Sequence, residues 1–81
     1  MQELRSSIYQ FLSDEFAVDA GAMADNTPLI SAGVIDSLGV IDYVEFLSKL
    51  AHVTIENSEI SLKNLDTVGR ALEFVASKMA A

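Results

Sequence analysis

The chain has 81 residues, room for one domain and not for two, and 51% of them are hydrophobic, enough for one compact core. Twelve Asp/Glu against five Lys/Arg give a net charge of −7, which argues against nucleic acid and anionic membranes as partners, since both need a basic footprint. With no cysteine and a single histidine, His52, a disulfide framework, a Cys-ligated zinc site and a multi-histidine metal site are excluded.

The pattern predicts helices joined by loops. Leu4, Ile8, Phe11, Leu12 and Phe16 recur at helical spacing and predict a first helix from about Gln2 to Phe16. A long connection follows, from about Val18 to Asp36. Gly21, Asp25, Asn26, Pro28 and Gly33 mark it as turns, while Leu29, Ile30, Val34 and Ile35 are expected to pack it against the bundle. Loops of this length in small domains are functional or disordered, and the apolar residues favour an ordered one.

A second helix is predicted from Asp36 or Ser37, both good N-cap types, to about Ala51. A short turn or 3₁₀ piece is expected near Ser61–Leu65. The last helix is expected to start near Asp66 or Thr67, with Val68, Leu72, Val75 and Met79 on its apolar stripe. The sum is an all-α chain, a small three-to-four-helix bundle forming one domain over residues 1–81. No basic-then-apolar leader is visible and no apolar run reaches bilayer length, so a cytoplasmic location is expected.

Helix residues turn by about 100° each, which divides the second helix into two halves. Val40, Tyr43, Val44, Phe46, Leu47, Leu50 and Ala51 form the expected core half. Ser37, Leu38, Ile41, Asp42, Glu45, Ser48 and Lys49 form the half expected to face water. Leu38 and Ile41 break its polarity. An apolar pair rimmed by Asp42 and Glu45 and lying within about a turn of Ser37 points to a docking surface. Scattered surface leucines are also common, and the wheel alone leaves that reading open.

Ser37 joins a long loop to a helix start, where free N–H groups and the helix dipole favour a phosphate ester. A plain N-cap is the simpler local reading. As a nucleophile Ser37 lacks the first glycine of a G-x-S-x-G elbow, and His52 is about four turns further along the helix. An EF-hand register starting at Val34 aligns Asp36, Gly39, Ile41 and Glu45, yet Val34 and Leu38 occupy ligand positions and supply no carboxylate.

The stretch Leu29-Ile30-Ser31-Ala32-Gly33-Val34-Ile35-Asp36-Ser37-Leu38 resembles the loop and attachment motif of the acyl and peptidyl carrier protein family. Asp36-Ser37-Leu38 matches that family's Asp-Ser-Leu, and Asn64-Leu65-Asp66-Thr67-Val68 resembles the start of its last helix. The resemblance covers essentially the whole chain. It implies a 4′-phosphopantetheine arm, placed on Ser37 from coenzyme A by a phosphopantetheinyl transferase, whose thiol carries cargo as a thioester. It also implies that the chain is not an enzyme. Asp36 would help hold the modifying site, and Leu38, Ile41, Asp42 and Glu45 would meet loading enzymes and synthase or synthetase partners, the free protein being a monomer. Fatty-acid carriers typically end the second helix with acids, where this chain has Ser48 and Lys49, and often have an apolar contact residue where Glu45 stands. The run Gly33-Val34-Ile35-Asp36-Ser37-Leu38-Gly39 looks closer to carriers of polyketide, nonribosomal peptide or aminoacyl pathways. A peptidyl or aminoacyl carrier, and a helical adaptor in which Ser37 only caps, are the alternatives.

Overall fold

The computed structural model describes residues 2–80; Met1 and Ala81, the ends of the expected domain, lie outside them. Helix α1 spans Gln2–Phe16, α2 Ser37–Ala51, α3 Leu62–Leu65 and α4 Val68–Ala80, and the described residues include no strand. The architecture is therefore the all-α bundle that the spacing predicts. Single 3₁₀ turns at Ala20–Ala22 and Asn57–Glu59 were not legible in the pattern. The piece expected near Ser61–Leu65 is one α-helical turn, α3, capped by the Ser61 hydroxyl, which accepts from Asn64 N–H.

Each long helix starts or stops for a local reason. Ala17 at φ 54° and His52 at φ 55° put left-handed residues directly after α1 and α2, and such residues end helices. Thr67 caps α4: its hydroxyl accepts from Arg70 N–H at 3.0 Å. Among the described residues no helix is long and apolar enough to cross a membrane.

The core joins all four α-helices. Ile8 and Leu12 of α1 meet Tyr43, Leu47 and Ala51 of α2, Leu65 of α3, and Val68, Ala71, Leu72 and Val75 of α4. The connection between α1 and α2 contributes Leu29 and Ile35, both buried. Each buried Leu, Ile or Val side chain is worth about 1.5–3 kcal/mol, so the loop is held as a core element is.

Two expected apolar placements differ. Val34 is 41% exposed and Met79 is 51% exposed. Val34 directly follows Gly33, whose φ of 79° reverses the chain and turns Val34 outward while Ile35 turns in. Met79 sits in the last turn of α4 and is not among the side chains packed against the core. On α2 the fully buried positions are Gly39, Tyr43, Leu47 and Ala51, while Val40, Val44, Phe46 and Leu50 are half-buried around them. Ser48, expected to face water, is half-buried, and its hydroxyl donates to the Val53 carbonyl across the left-handed turn at His52.

Candidate functional site

Asp36 precedes α2 in an extended conformation, and its Oδ1 accepts from Gly39 N–H at 2.7 Å. Asp36 is thus the N-cap, and Ser37 is the first helical residue. The capping bond that a plain N-cap serine would make is made by its neighbour. Ser37 is exposed at the positive end of a 15-residue helix. The N–H groups of Ser37 and Leu38 belong to the first turn, which has no carbonyl of its own to bond.

Leu38 is 75% exposed and Ile41 is 61% exposed, so both stand in water beside Ser37. Asp42 and Glu45 are exposed on the same helix, and Glu45 accepts an ion pair from Lys49 at 3.1 Å. Such a surface pair is worth little in stability. The exposed Val34, expected inside, instead adds an apolar side chain on the loop upstream of Ser37. Asp36, Ser37, Leu38, Ile41, Asp42 and Glu45 therefore fall together on one open helix face and its entry.

Ile41 also begins a groove of about 430 Å³ between α2 and the 55–60 segment, lined by Val44, Ile55 and Ile60 with polar residues at its edge. The far wall is tied down by Glu59, whose carboxylate takes both a 2.8 Å and a 2.9 Å hydrogen bond from Lys78 of α4 and a 2.9 Å bond from Glu56 N–H. These donors hold the Glu59 carboxyl below its ordinary range, with the Lys78 hydrogen bonds foremost.

His52 is exposed at the opposite end of α2, about 22 Å of helix from Ser37, and supplies no base to it.

One residue of consequence was missed. Asp66 follows α3 and is only 6% exposed. Its Oδ1 accepts from Ile30 N–H and Ser31 N–H, both at 2.8 Å, and its Oδ2 from the Ser31 hydroxyl at 2.7 Å. The Ser31 N–H bond, countered by burial, leads the causes that keep this carboxyl ionised below its usual range. The available signal was an acid one residue before the α4 cap and next to buried Leu65, but its partners lie 35 and 36 residues away. A second acid, Asp25, ties the loop elsewhere: it accepts from Arg5 at 2.9 Å and Tyr9 at 2.7 Å, and its carbonyl from Gly69 N–H. Burial, then the bond to Asp25, pushes the Tyr9 phenol up to about 12.

No family model matches the chain. A protein of Clostridium acetobutylicum described as an acyl carrier protein homolog is 32% identical over 74 residues, which cover 91% of this chain and 72% of that protein.

Proposed function

This chain belongs to the acyl carrier protein family, and from that premise we propose that it holds acyl intermediates on a 4′-phosphopantetheine arm at Ser37 and presents them to biosynthetic enzymes. The observation that carries the reading is the division of labour at the head of α2. Asp36 caps the helix, which leaves the exposed Ser37 hydroxyl available to a modifying enzyme.

A phosphopantetheinyl transferase joins the Ser37 oxygen to the β-phosphorus of coenzyme A; adenosine bisphosphate leaves and the hydroxyl proton passes to the transferase. The arm supplies a terminal thiol on which cargo is held as a thioester. The residues present fit such a group. Ser37 bears the ester, the open first-turn N–H groups and the helix dipole favour its negative charge, and Asp36 keeps the helix start in place. Leu38 and Ile41 provide apolar contact for partner enzymes, with Asp42 and Glu45 steering basic patches toward it. The groove that starts at Ile41, one turn from Ser37, offers shelter to an apolar cargo.

In this reading residues 1–81 act as a single carrier domain, monomeric when free, in the cytoplasm, without catalysis of their own. Ser48 and Lys49, in place of further acids, favour a specialised polyketide- or nonribosomal-peptide-type pathway, with an aminoacyl or peptidyl cargo as the second reading.

The test is intact mass after incubation with coenzyme A, magnesium and a broad-specificity transferase. A gain of one phosphopantetheine mapped to Ser37 is expected. A folded protein that gains nothing from two different transferases overturns the carrier reading in favour of an adaptor.

A further inference from the structure

The turn that delivers Ser37 is assembled from a distance. Asp66, between α3 and α4, receives three hydrogen bonds on its carboxylate from Ile30 and Ser31, and its carbonyl accepts from Leu29 N–H at 2.7 Å. The carbonyl of Leu29 in turn accepts from Val34 N–H at 2.8 Å and Ile35 N–H at 3.1 Å, closing the turn that contains Gly33. Ile35 is then buried, and Asp36 follows it directly as the cap of α2. A set of hydrogen bonds therefore runs from Asp66 through Leu29 to Ile35, two residues before Ser37.

We propose that Asp66 is a positioning residue for the loading of Ser37, fixing the Leu29–Asp36 turn in the form that the modifying transferase engages. The proposal rests on Ser37 being the attachment site. Asp66 is buried and does not touch the reacting oxygen. Its effect is on how much of the protein has the loop ready before the enzyme arrives, so that ordering is not charged to binding. When only a fraction of molecules is competent, apparent affinity falls by that fraction while the saturated rate is kept. The expected signature is thus a raised KM at unchanged kcat.

The experiment is steady-state loading of the full chain by one transferase with coenzyme A, well below every variant's melting temperature. Asp66→Ala leaves three donors of the loop without their acceptor, and is expected to raise KM for the carrier roughly ten-fold with kcat retained. Asp66→Asn is expected to restore most of the loss, since its amide oxygen accepts from both N–H groups and its NH₂ donates to the Ser31 hydroxyl. Ser31→Ala removes one bond from an exposed residue, and is expected to raise KM in the same direction by less, which keeps the test open if Asp66→Ala does not fold. Val75→Ala, a buried truncation on α4 outside this hydrogen-bond set, is the control for stability alone: it is expected to lower the melting temperature with KM unchanged. An unchanged KM in both Asp66→Ala and Ser31→Ala, or an equal rise in Val75→Ala at matched stability, overturns the positioning role. A wild-type chain that never loads overturns the carrier reading itself, a distinct result.

Discussion

The edge of the Phe16 ring lies 2.7 Å from where a β-carbon on Gly39 would stand. The end of α1 thus touches the first turn of α2 through a missing side chain, with Ile35 Cγ2 at 3.1 Å and Asp36 Oδ1 at 3.2 Å from the same point. Phe16 is itself held edge-on against Phe11, 5.8 Å between ring centres, and Ile35 is buried, so an added methyl group has to displace both. In an open helix Gly→Ala is stabilising by about 1 kcal/mol. Here overpacking of about 1–3 kcal/mol is set against it. Gly39→Ala is expected to lower the melting temperature measured by circular dichroism, and a rise would show that Phe16 yields freely.

Ser37→Ala is expected to abolish loading while changing stability by less than about 0.5 kcal/mol, the range of surface substitutions away from caps and cores. Asp36, which holds the cap, is untouched. Intact mass and thermal unfolding check the two halves together. A variant that still gains the arm would place the attachment elsewhere.

Ile41→Asp changes a residue that is 61% exposed, so the fold is expected to survive. Partner recognition is expected to weaken roughly ten-fold in kcat/KM for transferase loading, as when an apolar contact near the centre of an interface is lost. Equal rates for wild type and variant would remove Ile41 from the docking face.

Tyr43 is buried beside Phe11, ring centres 6.1 Å apart, and its hydroxyl has no hydrogen-bond partner among the described residues. Burial accordingly pushes its phenol well above the ordinary value. Tyr43→Phe removes an unsatisfied polar atom without breaking a bond, and is expected to stabilise the chain by about 1 kcal/mol. A clear drop in denaturant midpoint would mean that the hydroxyl is paired in solution.

Asp66 and Glu59 both titrate below their ordinary values of 3.8 and 4.5. In the folded chain they therefore hold fewer protons than in the unfolded chain over the window beneath those values. Their stabilisation is present above the unfolded pKa and is lost as pH falls through the folded one. The melting temperature is expected to decline as pH is lowered from about 5 toward 3, the range of carboxylate titration. Asp66→Asn cannot titrate there and is expected to decline less steeply. Parallel pH profiles for the two proteins would contradict the role of the Asp66 charge.

The sequence by itself determined the long helices, because they are written in local spacing, whereas Ser37 was singled out as the candidate site by its resemblance to the carrier-protein motif. A period of about 3.6 with turn-forming residues between marks α1, α2 and α4. The same wheel exposes Leu38 and Ile41 beside Ser37, as found. Only the tertiary structure decided which of Asp36 and Ser37 caps α2, since both side chains are competent and the choice depends on where the incoming loop places them. It also decided that Val34 faces out and that Asp66 is a buried anchor. Beyond the left-handed Gly33 the apolar pair Val34 and Ile35 splits, one out and one in, and the donors to Asp66 come from more than 30 residues away. Hydrogen bonds between segments so far apart leave no periodic trace. They exist only once the core formed by Leu29, Ile35, Leu65 and Val68 has brought the loop and the start of α4 together.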